Sequence, residues 1–200
     1  MTQPTKEQVL AVCDRFSFGG VVTDLKVCGN GHINSTYLVV TARPHLYILQ
    51  WLNGKVFKDL TGLMSNVIAV TDYLKERVED PRGCLKLIPT LTGEPYLLTA
   101  EGDCWRMYDY VLDSVCLEAA ESAEDLRQSG VAFGMFQNQL ADFPAATLIE
   151  TIPHFHDTPD RFRIFREAIA EIKRLSPKPG NLYTEGGIDS TPYIVPDFLL

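Results

Sequence analysis

What this chain lacks narrows its chemistry before any motif is considered. No dense run of Lys and Arg occurs, and the formal net charge is −8. That argues against binding along a nucleic-acid backbone, which rests on clustered cations. No apolar run approaches the ~20 residues needed to cross a bilayer. The first residues, Met1-Thr2-Gln3-Pro4-Thr5-Lys6-Glu7, are polar and lack the basic-then-apolar layout of a secretory signal. The five cysteines, Cys13, Cys28, Cys84, Cys104 and Cys116, are scattered, odd in number and never in C-x-x-C spacing. They predict free thiols in a reducing cytoplasm, neither a disulfide framework nor a zinc site. The expectation is a cytoplasmic protein with no nucleic-acid or membrane partner. A local nucleotide site stays open, because backbone N–H groups bind phosphate without net positive charge.

What is present is ordinary globular material: 200 residues, 46% hydrophobic and 22% charged. Thr5 to Phe16 predicts a short amphipathic helix with Val9, Val12, Cys13 and Phe16 on one face, Thr5 and Gln8 forming a capping box. Gly19-Gly20 follows. Three strand-like runs come next: one alternating at Val21, Thr23, Leu25 and Val27, then Tyr37–Thr41, then Leu46–Trp51. Asn30-Gly31 between the first two is a hairpin signal, and Arg43-Pro44-His45 makes the second connection. The opening is therefore an antiparallel meander. Leu60, Leu63, Met64, Val67, Ile68 and Leu74 mark a helix stripe. Further strands are expected at Cys84–Ile88, Tyr96–Thr99 and Trp105–Val111. A helix starts at Ser122 with Leu126, Phe133, Phe136 and Leu140 on one face, and Phe143-Pro144 closes it. Another starts at Thr158-Pro159, Thr158 as cap, with Phe162, Phe165, Ile169 and Ile172 as its buried face. After Leu175 the Pro- and Gly-rich residues break every period.

The order strand, Gly-rich hairpin, strand, strand, helix, strands, helices suits a fold that lays glycine backbone over phosphates, where side chains would prevent close approach. Gly29-Asn30-Gly31-His32-Ile33-Asn34-Ser35-Thr36-Tyr37-Leu38-Val39 resembles the Gly-rich hairpin of N-acetylhexosamine kinases, members of the aminoglycoside-phosphotransferase-like, protein-kinase-like superfamily. Tyr47-Ile48-Leu49-Gln50 is similar to their third strand, and Trp105-Arg106-Met107-Tyr108 to the strand entering their hinge. Ala132–Asn138 and His154–Pro159 resemble later segments, so the likeness covers roughly Leu10 to Ala170. It implies an α+β fold: an N-terminal lobe of antiparallel sheet plus helix over residues 1–111, then a linker and the first helices of an incomplete C-terminal lobe over 112–175. Residues 176–200 are expected to be an irregular tail: a linker, a disordered end, or the product of truncation or frameshift. The implied reaction is transfer of the ATP γ-phosphate to the anomeric hydroxyl of N-acetylglucosamine or N-acetylgalactosamine, with Mg²⁺. The nucleotide-binding positions it implies are Gly29, Asn30, Gly31, His32, Asn34, Ser35, Gln50, Tyr108, Asp109 and Tyr110, the last three through the hinge.

Two departures matter. Gln50 stands where kinases commonly place a phosphate-pairing lysine, and it brings no charge. The aspartate base of an H-x-D-x-x-x-x-N loop is absent, as is a later acidic ligand for Mg²⁺: His156-Asp157 are adjacent, and Asp197-Phe198 is followed by Leu199. No catalytic or metal-binding residue is therefore assigned, and a partner supplying the missing lobe is expected. Blander readings stand alongside. The Gly-rich turn can be a hairpin with no ligand, and Tyr108 and Tyr110 can be sheet aromatics. His154, His156 and Asp157 suit a loop orienting the next helix better than a metal site. Asp72, Glu76 and Glu79 suit a solvated helix face. The rival functions are a non-catalytic nucleotide- or sugar-binding module and an interaction scaffold. The cysteine reading is checked by unfolding the chain without reductant and titrating thiols. All five should react, and a lower count would reveal a disulfide.

Overall fold

A computed structural model describes residues 3–29, 33–43, 45–115, 117 and 119–175. Asn30, Gly31, His32, Pro44, Cys116 and the expected irregular tail lie outside the described residues. The chain divides into two compact units after Thr151.

The first unit begins with α1 (Lys6–Cys13). Its start is the expected capping box. The Gln8 N–H donates to Thr5 Oγ1 (3.3 Å), and Gln8 Oε1 accepts from the Thr5 N–H (2.8 Å). The helix stops three residues earlier than predicted. Phe16, expected on its apolar face, instead bridges Thr90 in antiparallel fashion and is buried.

Six strands follow: β1 (Val22–Val27), β2 (Ser35–Thr41), β3 (Leu46–Leu52), β4 (Leu87–Ile88), β5 (Leu97–Leu98) and β6 (Cys104–Asp109). They form one antiparallel sheet in the order β1-β2-β3-β6-β4, with β5 also on β6. The predicted meander is present. The predicted alternation of β1 is not: a bulge between Val22 and Asp24 shifts its register. An inserted residue turns the following side chains over. As a result Val22 and Leu25 pack toward the core, while Val21 and Val27 are exposed. The later strands are shorter than expected. A 3-10 turn at Pro81–Gly83 occupies the approach to β4, where the Asp80 carboxylate accepts from the Arg82 N–H (2.9 Å).

β3 is flanked by β2 and β6, so its side chains alternate between two covered faces. Tyr47, Leu49 and Trp51 join Val39, Trp105 and Met107 beneath α1. There the Trp51 and Trp105 rings stack at 5.8 Å, and Trp51 Nε1 donates to Asp103 (3.1 Å). On the other face Leu52 and Cys104 pack against Met64, Leu60, Leu63 and Val67 of α2 (Leu60–Lys75). Burial pushes the Cys13 thiol up to about 12 and Cys104 up to about 11, so both stay protonated in the fold. Asp72, Glu76 and Glu79 are exposed, as the sequence suggested.

α3 (Ala123–Gln139) begins with a capping box at Ser122 and Asp125. Its apolar residues Leu126, Phe133 and Phe136 are exposed. The segment after it returns to α2. Asn66 Nδ2 donates to the Ile149 carbonyl (2.7 Å), the Ile149 N–H donates back to Asn66 Oδ1 (2.9 Å), and Tyr73 meets Phe143 edge-on.

The second unit contains α4 (Thr158–Leu175). Its cap is Asp157 rather than Thr158, since the Asp157 carboxylate accepts from the Asp160 N–H (3.0 Å). Its predicted buried face is corrected as well: Phe162, Phe165 and Ile172 are exposed and Ile169 is half-buried. Periodicity places apolar groups on one side of a helix but does not supply what covers them. The polar side carries Arg163 between Asp160 (2.6 Å) and Glu167 (2.9 Å).

Gly62 shows how tightly α2 is started. Its N–H donates to the Asp59 cap carboxylate (2.7 Å), and an added Cβ would run into that same carboxylate and meet Ile149 Cγ2 at 3.1 Å. Helix propensity alone favours alanine over glycine by about 1 kcal/mol. Here Gly62→Ala should instead lower stability by about 1–2 kcal/mol through a displaced cap, read as a lower midpoint in urea with an unchanged slope.

Candidate functional site

The alternation of β3 that sends Leu49 and Trp51 under α1 sends Ile48 and Gln50 to the α2 side of the sheet. The register then builds two parallel rows across β2, β3 and β6. Thr36 lies opposite Gln50, and Gln50 opposite Arg106. One step along, Leu38 lies opposite Ile48, and Ile48 opposite Tyr108. The first row is polar and hydrogen-bonded. The second is apolar, with Ile48 buried and Leu38 and Tyr108 half-buried.

In the polar row the Gln50 amide is fixed at both ends. Its Nε2 donates to Thr36 Oγ1 (3.0 Å), and its Oε1 accepts from Arg106 Nε (3.0 Å) and Nη2 (2.7 Å). A guanidinium has five N–H donors. Two are spent on one neutral oxygen, and among the described residues no carboxylate forms an ion pair with Arg106. Among those residues no buried side-chain nitrogen or oxygen lacks a partner, so Nη1, which has none there, is not fully buried. Burial, the largest influence, draws the Arg106 guanidinium below its ordinary value. A half-buried cation held only by a neutral amide is costly for the fold.

The glycine-rich connection leaves the sheet at this end. The Cys28 N–H donates to the Thr36 carbonyl (2.8 Å) as the last rung. Gly29 then takes φ +78° with no atom within 4 Å of an added Cβ, so backbone handedness rather than crowding calls for glycine. Asn34 Oδ1 accepts from the Asn53 N–H (3.0 Å) and ties the loop's return to the exit of β3. The Ser35 hydroxyl donates to Gln3 Oε1 (2.9 Å), on the opposite side of the sheet from Gln50. Gly29, Asn34 and Ser35 line a cavity of about 460 Å³ with Gln3 and Lys6 on the α1 side. A second cavity of about 510 Å³ lies against α2 between Thr71, Asp72, Cys84 and Pro95. Neither includes Gln50 or Arg106. The strip they form is half-buried, and its chemistry is better defined than that of either cavity.

At the other end of β6 the expected hinge positions are partly committed. The Asp109 N–H donates to the Lys86 carbonyl and the Tyr110 N–H to the Leu46 carbonyl, both at 3.1 Å. Among the described residues, Val111 is the first after β6 whose N–H has no backbone partner. The Asp109 carboxylate accepts from Lys86 Nζ (2.7 Å) and lies 3.2 Å from His45 Nε2. Its hydrogen bond and charge raise the Lys86 ammonium above its ordinary value. The structure thus brings Gln50 and Tyr108 onto one face, puts Ser35 on the other, and sets Asp109 at the edge. Asn30, Gly31 and His32 lie outside the described residues. In the sequence Arg106 stands out only as part of the strand Trp105-Arg106-Met107-Tyr108. The available signals were a charged residue alternating with Trp105 and Met107, and the missing charge at Gln50.

No three or more His, Cys, Asp or Glu side chains converge among the described residues. His154, in left-handed backbone at φ 58°, places Nδ1 3.8 Å from Asp157 and so belongs to the turn before α4.

Comparison of the sequence with protein-family models finds no match. Among solved structures the chain is similar to spectinomycin phosphotransferase in complex with ADP and spectinomycin. The identity is 11% and the TM-score 0.46, over 68% of this chain and 42% of that one. The chain thus spans less than half the length of that structure. No helix among the described residues is long and apolar enough to cross a membrane.

Because Asp109 is already engaged by Lys86 and His45, Asp109→Ala should cost about 1 kcal/mol or less, and less still in high salt. It should leave ATP affinity within about threefold. A large loss of ATP binding at unchanged stability would make Asp109 a ligand rather than an edge brace.

Proposed function

We propose that this chain is the nucleotide-binding part of an ATP-dependent small-molecule kinase of the aminoglycoside-phosphotransferase-like superfamily, acting on the anomeric hydroxyl of an N-acetylhexosamine. The observation that carries the reading is the arrangement along β3 and β6, with the polar and apolar rows on the α2 side of the sheet and the glycine-rich connection at its end, where the described Gly29 and Asn34 line the α1-side cavity. A glycine-rich connection, a fixed amide–guanidinium pair and an apolar row lie in sequence from one end of β3 toward the end of β6. Phosphates need donors and positive charge, and a base needs an apolar surface with backbone donors beyond it. The floor offers these in that order. The sugar rests on the sequence resemblance alone.

Phosphoryl transfer depends on positioning and charge neutralisation around the γ-phosphate. These 200 residues offer an orienting surface but no aspartate base in the H-x-D-x-x-x-x-N pattern and no convergent metal ligands among those described. Lack of the base alone typically costs ~10²- to 10⁴-fold in rate. The chain alone is therefore proposed to bind ATP without turning it over, with Mg²⁺ ligands supplied from elsewhere. That same absence favours a second reading, a non-catalytic nucleotide-binding module.

The test is a pair of measurements on the purified chain. ATP at about a hundred times its Kd should stabilise the fold by about 2.7 kcal/mol, because it binds the folded form only. N-acetylglucosamine or N-acetylgalactosamine should produce no ADP above the sugar-free background. Sugar-dependent ADP release would overturn the inactivity, and the absence of any ATP-induced shift would leave the interaction scaffold as the better account.

A further inference from the structure

We propose that Arg106 is the phosphate-binding cation of this site, held in place by Gln50, so that the charge usually carried by a lysine on the third strand is carried here by the neighbouring strand. The inference deepens the nucleotide reading and rests on it for the identity of the ligand. Its structural basis is independent of that reading.

Gln50 cannot neutralise a phosphate, but its geometry is that of a holder. Thr36 Oγ1 takes one end of its amide, and this turns Oε1 toward β6, where it accepts from both Nε and Nη2 of Arg106. Two donors converging on one oxygen fix the guanidinium plane. They leave Nη1 and the second Nη2 hydrogen without an acceptor among the described residues. A bidentate fork of this kind matches the oxygens of a phosphate.

The alternative is that Arg106 is a structural arginine. Structural arginines in half-buried positions are normally paired with a carboxylate. Several exposed arginines of this chain pair so, Arg82 with Asp80, Arg127 with Glu124, Arg163 with Asp160 and Glu167, and Arg174 with Glu171, while the exposed Arg15 and Arg166 form no ion pair among the described residues. Arg106 is more buried than these and has only an amide. A carboxylate in place of Gln50 would satisfy it, and the sequence does not put one there. An arginine kept charged, oriented and unneutralised is suited to an anion that comes and goes.

Position agrees as well. Arg106 lies at the start of β6, at the end of the sheet from which the glycine-rich connection departs. The open N–H of Val111 is five residues further on. At about 3.3 Å per residue that is roughly 16 Å of strand and exit, comparable to the reach of an extended nucleoside triphosphate. Leu38, Ile48 and Tyr108 form the apolar floor between them.

The test uses calorimetric titration of the full chain with ATP, adenosine and inorganic tripolyphosphate. Two variants accompany the wild type. Arg106→Met keeps the side chain's stem and removes the charge. Gln50→Glu keeps the guanidinium but gives it a permanent carboxylate, and so should fold at least as stably as wild type. Wild type should bind tripolyphosphate and ATP, and both variants should lose at least about tenfold in affinity for each. Adenosine binding should change by less than about threefold. Raised salt should weaken wild-type binding of tripolyphosphate more steeply than that of either variant. A purely structural Arg106 would leave these affinities and salt slopes unmoved in folded Arg106→Met, since that variant adds no repelling charge to the floor. ATP binding that survives both variants within threefold would overturn the role of Arg106 while leaving the nucleotide reading intact. Arg106-dependent binding of tripolyphosphate without preference for ATP would uphold the anion site and overturn the nucleotide. Binding of neither ligand by wild type would overturn both.

Discussion

The central position of β3 constrains everything else in the first unit. A strand with hydrogen-bonded neighbours on both sides has no free edge, and its side chains must alternate between two faces. With α1 covering one face and α2 the other, every second residue of Leu46–Leu52 meets a different environment. Tyr47, Leu49 and Trp51 are large and apolar and fill the α1 side. Ile48, Gln50 and Leu52 point to the α2 side, and two of the three are apolar as well. Gln50 is the exception, and the hydrogen bonds it donates to Thr36 and accepts from Arg106 make that exception tolerable. A one-residue slip in β3 would exchange the two sets and bury Gln50 under α1 without partners. The core and the candidate site are therefore fixed by the same register.

Several parts of this arrangement could be read from the chain. The capping box of α1 was legible because Thr5 and Gln8 stand at the spacing the motif needs, and the meander because apolar and β-branched runs are separated by turn residues. The helix stripe at Leu60, Met64 and Val67 was legible because periodicity of 3.6 is hard to produce by accident. The bulge in β1 was not legible: Val21, Thr23, Leu25 and Val27 alternate faithfully, and only pairing with β2 reveals that Thr23 is skipped and the phase shifts at Asp24. Phe16 was misplaced for a related reason. Its spacing fits the helix, but the bridge to Thr90 that withdraws it depends on a segment more than seventy residues away.

The site was legible in part. The glycine-rich connection and Gln50 stand out in the chain as motifs, because backbone conformation and an unusual residue at a familiar position are local signals. The hinge assignment at Asp109 and Tyr110 did not anticipate that their N–H groups would be used by Lys86 and Leu46. Such commitments belong to the sheet as a whole. Arg106 was invisible as a functional residue because its meaning lies in what it lacks. A missing carboxylate can be recognised only after every neighbour has been placed. The apolar faces of α3 and α4 make the converse point. Leu126, Phe133, Phe162 and Phe165 carry a clear helical period, yet burial is a property of what lies against a helix and not of the helix itself.

Moving the cation from β3 to β6 has a physical consequence that a lysine would not. Adjacent strands lie about 4.8 Å apart, so the charge shifts sideways by one strand and now sits in line with the strand that runs on to Tyr110 and Val111. A lysine on β3 would be a flexible point charge that needs a carboxylate from the neighbouring helix to hold it. In α2 the acidic residues Asp72 and Glu76 are exposed near its C-terminal end, and none is placed to do so. An arginine oriented by a neutral amide needs no such helix partner. Its direction is set by the ladder from Thr36 through Gln50, within a sheet whose register the core already enforces. Orientation and charge, which a lysine–glutamate pair would couple to the position of a helix, are here both properties of the sheet. The floor can then hold an anion whether or not α2 shifts, and α2 is left free to serve chiefly as the apolar cover over Leu52 and Cys104.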